Sequence, residues 1–260
     1  MMSTQHGSHI WYELLTGDVD GASAFYRKVL PWTVAPAGMP DIDYRIATAA
    51  DGGQVAGIMA LTPQMGERGP GWMGYIGVDD VDAAAARIAA AGGRVLMPPA
   101  DIPEVGRFAM VADPQGIAFY IMRGASDAMS TAFAYDKPRP GHGAWNELAT
   151  PDKDGAAAFY ADIFGWAKDG EMDMGAAGTY DFMRDGEGLL GAIMRQPPEM
   201  PAPGWSYYFR VPDLDAAKTA VEANGGKVLH GPHEVPGGDF IINAVDPQGA
   251  LFSLVGGRID

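Results

Sequence analysis

The chain repeats itself. Trp11-Tyr12-Glu13-Leu14, Asp20-Gly21 and Phe25-Tyr26 return as Trp145-Asn146-Glu147-Leu148, Asp154-Gly155 and Phe159-Tyr160, each 134 residues later. Farther on, Pro70-Gly71-Trp72, Asp80, Gly92-Gly93, Pro99 and Asp113-Pro114-Gln115-Gly116 return 133 residues later, ending in Asp246-Pro247-Gln248-Gly249. One net deletion separates two copies of one domain. A period this long exceeds that of solenoid and propeller repeats, whose units bury their faces only by stacking, so each copy is long enough to own a core. We divide the chain into residues 1–125, a linker at 126–140 and residues 141–260, the linker being marked by Lys137-Pro138-Arg139-Pro140 and the loss of any sustained period.

Within the first copy, Ala22, Phe25, Tyr26 and Val29 stand at i, i+3, i+4 and i+7 behind acidic residues, which predicts an amphipathic helix over Asp18 to Leu30. A second helix is predicted over Val81 to Ala91, stopped by Gly92-Gly93. Strands are predicted at Ile10–Leu15, Tyr44–Ala47, Val55–Leu61, Trp72–Val78, Arg94–Met97, Phe108–Ala112 and Ile117–Met122. The second copy repeats this order, with helices near Asp154–Phe164 and Leu214–Asn224. Each copy therefore reads as two strand–helix–strands modules.

Charge and composition exclude several functions. With 18 basic and 33 acidic residues the net charge is −15, which disfavours nucleic acid and anionic membrane surfaces as partners. The absence of cysteine removes disulfides, thiolate nucleophiles and Cys-based metal sites. No apolar run reaches the length of a membrane span and Met1 to Ser8 does not read as a signal peptide, so a cytoplasmic protein is expected. No glycine-rich dinucleotide fingerprint follows a strand.

The ordered set Gly-Asp-x-x-x-(Ala/Ser)-x-x-Phe-Tyr, Val-x-Asp, Gly-Gly-x-Val and Asp-Pro-x-Gly, met twice, resembles the vicinal oxygen chelate superfamily of glyoxalase I, bleomycin and fosfomycin resistance proteins and extradiol dioxygenases. The Trp-x-Glu-Leu strand and Phe164-Gly165-Trp166 are similar to a tandem glyoxalase-like subgroup, some of whose members are named as hydroxylases. The resemblance implies an α+β fold of two tandem glyoxalase-like domains, each of two βαβββ modules curving round a cleft. It also implies a divalent metal in the enzymes, held by His, Glu or Gln from first and last strands. Carried onto this chain, those ligand positions fall on Trp11 and Trp145, near Met73 and Ser206, on Tyr120 and Ser253, and on Gly57 or Met59. None is a good ligand for a hard or borderline divalent cation. The expectation is therefore no cofactor, with a divalent metal as the minority alternative.

What remains is a cleft with aromatic walls. Trp11, Tyr75 and Tyr120, with Trp145, Tyr208 and Phe252, are the wall candidates, against the plainer role of aromatic residues in the core. Glu13 and Glu147 are the candidate catalytic groups, since a carboxylate within an apolar strand must reach water or a partner. Arg107 and Arg210 are candidate partners and ligand-binding residues. For the two glutamates, structural hydrogen bonding, ligand contact and catalysis all stay open. His9 shares the phase of Trp11 and Glu13, but lies with His6 near a start expected to fray; His230 and His233 are expected in a Pro-rich turn. Met65–Arg68 and Met172–Gly175 differ between the copies, so the two clefts need not be equivalent. The expected function is binding of a small, partly apolar metabolite or xenobiotic without the family metal, as a monomer or homodimer. The alternatives are a metal-dependent lyase, dioxygenase or hydroxylase with an altered ligand set, and a non-catalytic protein-interaction scaffold.

Overall fold

A computed structural model describes residues 5–39, 42–62, 65, 68–135, 137–200 and 202–259. Gly66 and Glu67 of the copy-specific loop lie outside the described residues. The first copy runs β1 (His9–Thr16), α1 (Val19–Val29), β2 (Trp32–Pro36), β3 (Tyr44–Ala49), β4 (Gln54–Ala60), then β5 (Gly71–Gly77), α2 (Val81–Ala90), β6 (Arg94–Ile102), β7 (Gly106–Ala112) and β8 (Ala118–Gly124). The second runs β9 (Gly143–Thr150), α3 (Lys153–Phe164), β10 (Ala167–Asp173), β11 (Thr179–Arg184), β12 (Leu189–Arg195), then β13 (Gly204–Arg210), α4 (Leu214–Ala223), β14 (Lys227–Glu234), β15 (Phe240–Val245) and β16 (Leu251–Gly256). This is the expected α+β fold of four βαβββ modules. The strand orders are β2-β3-β4-β1, β5-β8-β7-β6, β10-β11-β12-β9 and β13-β16-β15-β14. In every module the first strand pairs parallel with another strand of its module. A parallel pair needs a crossover connection, and the helix that follows the first strand begins it.

The helices start where aspartate can cap them. Asp18, Asp80, Asp152 and Asp213 each accept a backbone N–H of the first turn. The echoed Gly21 and Gly155 follow from this, because a Cβ there would stand 2.2 Å from the capping carboxylate of Asp18 or Asp152.

The compact units do not coincide with the two sequence copies. Contacts divide the chain into unit 1, the segments up to Ile10, Met73–Ser130 and Trp145–Trp205, and unit 2, Trp11–Trp72, Thr131–Ala144 and the chain from Ser206 onward. Each unit joins one module of the first copy to one of the second. In unit 2 the Tyr26 hydroxyl of α1 donates to Asp246 Oδ2 at 3.0 Å, and Trp72 Nε1 donates to Tyr26 at 2.9 Å. In unit 1 the Tyr160 hydroxyl of α3 donates to Asp113 Oδ2 at 3.2 Å. The Phe-Tyr helix and the Asp-Pro-Gln-Gly turn, both legible in the sequence, are thus partners contributed by opposite copies. Phe25 and Tyr26 also pack edge-on against Phe252, as Phe119 packs against Tyr160 and Phe164.

A second pair of links has the same exchanged pattern. Ser8 Oγ donates to Asp185 Oδ2 at 3.0 Å in unit 1. In unit 2 its equivalent His142 holds Asp51 at 3.1 Å through Nε2 and the Thr131 carbonyl at 2.5 Å through Nδ1.

His9 is neither frayed nor at the surface. It is 2% exposed, stacked on Trp166 and edge-on to Trp205 in unit 1, and burial lowers its pKa to about 3. An unfolded chain takes up this proton near the ordinary histidine pKa of 6.5 and the folded chain does not, so stability is full above that pH and falls below it. Between pH 7 and pH 5 the loss is about 2 kcal/mol. Burial raises the Asp113 and Asp246 carboxyls, which acts in the opposite direction. Comparison with His9→Phe cancels those carboxyls: urea melts should show the wild type losing about 2 kcal/mol more than the variant over that interval. Parallel pH profiles would refute the assignment.

Candidate functional site

Strand alternation separates a face against the helices from a face away from them. Tyr12, Tyr207 and Phe209 form one ring cluster in unit 2, so Trp11 and Glu13, like Ser206, Tyr208 and Arg210, lie on the opposite, cleft face. In unit 1, Phe119 meets the α3 rings, which turns Tyr120 and Met122 to the cleft face.

In unit 1 the cleft face carries a chain of hydrogen bonds. Trp145 Nε1 donates to the Tyr180 hydroxyl at 2.7 Å, and that hydroxyl donates to Glu147 Oε2 at 2.8 Å. Trp145 and Glu147 sit two apart on β9, and Tyr180 comes from β11, beyond β12. Both Trp145 and Tyr180 meet Phe182. The other module supplies Tyr75 and Tyr120, paired across β5 and β8 and stacked at 4.3 Å between centroids, with Phe108 tilted against Tyr120. Tyr75 and Tyr120 are buried, whereas Glu147 is only half-buried.

Unit 2 repeats the chain in altered form. Trp11 Nε1 donates to the Tyr44 hydroxyl at 3.0 Å. Glu13 pairs in register with Gly57 of β4, and the Tyr44 hydroxyl stands 2.0 Å from where a Gly57 Cβ would be. Glu13 is 3% exposed. The other module places Tyr208 beside Ser253 in register, and Asn243 Nδ2 donates to the Tyr208 hydroxyl at 3.2 Å and to Ser253 Oγ at 2.8 Å.

Two of the expected ligand-binding residues, the wall candidate Phe252 and the candidate glutamate partner Arg107, lie elsewhere. Phe252 is in the core against α1, because it alternates with Ser253. Arg107 alternates with Phe108 and reaches Asp82 of α2 at 2.6 Å and Asp101 at 3.0 Å, so the cleft-face residue of that strand is Phe108. Arg210 shares the face of Tyr208 and bonds Asp239 at 2.6 Å. His230 and His233 lie on β14, exposed, rather than in a turn. Tyr44 and Tyr180, central to both chains, were hidden in the sequence. They stand 136 residues apart, out of step with the 134-residue echo of the strands they face. Their equivalence is set by register: Tyr44 pairs with Met59, and Tyr180 lies next to the Asp181–Ile193 pair, one step from Met194.

The donors do not fit the divalent metal that the resemblance implies. Its positions are held by indole, thioether, phenol, hydroxyl or no side chain, and hard cations need carboxylate or imidazole groups converging. Among the described residues no group of three or more His, Cys, Asp or Glu side chains could hold a metal ion. At Gly57 the Tyr44 hydroxyl already occupies the space where a ligand side chain would begin.

A family model described as the Glyoxalase/Bleomycin resistance protein/Dioxygenase superfamily matches residues 9–121 and 140–254. The candidate glyoxylase CFP32 of Mycobacterium tuberculosis is 34% identical, with 96% of this chain and 95% of that protein covered. The anthracycline biosynthesis protein DnrV of Streptomyces peucetius is 30% identical, over 96% of this chain and 93% of its own. Among solved structures, the Mn(II)-bound glyoxalase from Novosphingobium aromaticivorans shares the fold with a TM-score of 0.66 at 18% identity, covering 99% of this chain and 84% of that one. The 2,3-dioxygenase LapB from Pseudomonas sp. KL28 does so with a TM-score of 0.63 at 14% identity, covering 100% and 94%.

Proposed function

Since the chain belongs to the Glyoxalase/Bleomycin resistance protein/Dioxygenase superfamily, we propose that it binds a small, flat, partly apolar molecule on an aromatic cleft face without using the family's divalent metal. The observation that carries this reading is the Trp145–Tyr180–Glu147 chain. It sets a half-buried carboxylate among aromatic rings in place of metal ligands. Such a surface gains from stacking and apolar burial, while one oriented acceptor fixes the pose of a ligand that carries a hydroxyl or amine. The name of the relative DnrV concerns anthracycline biosynthesis, and a flat fused-ring compound suits these walls. We read the protein as cytoplasmic, a monomer or homodimer, with no nucleic acid partner. Among the described residues no helix is long and apolar enough to cross a membrane.

The reading is tested with 1,4-dihydroxyanthraquinone as probe, titrated against tryptophan fluorescence before and after dialysis with EDTA. A dissociation constant on the order of ten micromolar, unchanged by the chelator, is expected. Binding that EDTA abolishes and manganese or iron restores would move the protein to the metal-dependent lyase and dioxygenase reading.

A further inference from the structure

The segment that leads from one copy to the other is fastened in unit 2 by a cluster of charged groups around a buried histidine. His142 is 0% exposed. Its Nδ1 lies 2.5 Å from the Thr131 carbonyl oxygen, and its Nε2 lies 3.1 Å from Asp51 Oδ1 on the turn between β3 and β4. Asp51 also accepts the Gly53 N–H and Arg139 Nε, each at 3.0 Å. Both partners of the ring are therefore acceptors. A neutral imidazole has a single N–H and must turn a lone pair on either the carbonyl or the carboxylate, whereas the imidazolium donates to both.

The ring closes a backbone frame. The His142 N–H bonds the Arg139 carbonyl at 3.1 Å, the Gly141 N–H bonds the Arg210 carbonyl at 2.8 Å, and the Arg210 N–H bonds the His142 carbonyl at 2.9 Å. Unit 1 builds the same frame: Ser8 to Gln5 at 3.1 Å, Gly7 to Gly77 at 2.9 Å and Gly77 to Ser8 at 2.8 Å. There the side chain that closes the frame is the Ser8 hydroxyl, which donates to Asp185. A hydroxyl does not titrate near neutral pH and an imidazole does. One frame thus has two closures, and only that of unit 2 can respond to protons.

Among the described residues, Asp51 of the β3–β4 turn bonds the ring and Arg139 of the same segment bonds Asp51. Arg210 of β13 meets His142 through the backbone, and its guanidinium is bonded to Asp239. The Gly53 N–H, and then the bonds to His142 and Arg139, hold the Asp51 carboxyl well below the usual carboxylate range, so Asp51 stays ionised where histidines titrate. We propose that the Asp51–His142–Thr131 clasp is a pH-sensitive fastening of the segment between the copies, closed when His142 is doubly protonated and released when the ring loses a proton. Its direction is opposite to that of His9. The clasp contributes fully below the ordinary histidine pKa of about 6.5, and its contribution declines as the pH rises beyond it. Release loosens the end of β13 at Arg210, whose side chain shares the cleft face with Tyr208.

Amide hydrogen exchange of the full chain, followed by NMR from about pH 5.5 to about pH 8.5, tests this. Protection of the Gly141 and Arg210 amides is divided by that of Gly7 and Gly77, a ratio from which the base catalysis of exchange cancels. Across the interval the ratio should fall at least about fivefold farther in the wild type than in His142→Gln, whose side-chain amide donates to Asp51 but does not titrate. Because the variant keeps His9, the comparison also removes the titration of His9 in unit 1. Should the variant not fold, nitrogen-15 histidine spectra of the wild type decide. The buried His142 ring should show two protected N–H signals at the acid end and one at the alkaline end. Parallel ratios in the two proteins, or a ring whose number of N–H signals stays the same throughout, would overturn the assignment.

Discussion

A chain ending at Ala125 is expected to yield no folded monomer, although it contains one whole sequence copy. The unit boundaries explain why. In that fragment α1 keeps Phe25 and Tyr26 but loses Phe252 and Asp246, β1 keeps Tyr12 but loses Tyr207 and Phe209, and β8 keeps Phe119 but loses Tyr160 and Phe164. Each aromatic side chain left uncovered forfeits about 1.5–3 kcal/mol of apolar burial. Several together are comparable with the roughly 5–15 kcal/mol by which a domain is stable. Light scattering after gel filtration should find dimers or aggregates, because a second fragment is the available cover for these faces. Adding residues 141–260 should restore a one-to-one complex. A fragment that melts cooperatively as a monomer would show that the copies, and not the exchanged units, are the folding entities.

Asp246→Ala should lower stability by about 3 kcal/mol or more. One carboxylate oxygen accepts backbone N–H groups of Gln248 at 2.9 Å and Ala250 at 2.8 Å, and the other accepts the Tyr26 hydroxyl. Truncation leaves three donors without an acceptor in a site only 3% exposed. For a chain of this size the melting temperature should fall by about 10 °C. Asp246→Asn keeps one acceptor oxygen and should cost much less, and Tyr26→Phe should cost about 1 kcal/mol. If the two residues act as one link, the double variant Asp246→Ala/Tyr26→Phe loses less than the sum of its parts. A drop of only a degree or two in Asp246→Ala would mean that water replaces the carboxylate without penalty.

The module order was legible because helices and turns are coded locally. Ala22, Phe25, Tyr26 and Val29 mark α1 by spacing alone, Gly92 adopts the left-handed φ of +90° that ends α2, and Asp113 binds the N–H groups of its own turn. Module pairing was not legible, because Phe119 is equally apolar whichever α-helix covers it. The alternating face of Trp11, Glu13, Trp145 and Glu147 could be read from the strands, but the phase of Phe252 and Arg107 could not. β16 is apolar on both faces apart from Ser253, and β7 carries apolar side chains on both faces with Arg107 its one charge, so only the observed contacts show which side meets the helices. Tyr44 and Tyr180 eluded the repeat because loops of unequal length precede them, so their equivalence exists in sheet register and not in residue spacing.

The interleaving of copies also sets a timetable for synthesis. Unit 1 is incomplete until Trp205 has been made and unit 2 until the final strand, β16, has emerged. At about ten residues per second the first copy waits on the order of ten seconds on the ribosome with Tyr12, Phe25, Tyr26 and Phe119 uncovered. Closure then joins segments far apart along the chain, a class of contact that forms slowly. A nascent polypeptide with this architecture should depend on ribosome-associated chaperones more heavily than two independent domains of the same composition would.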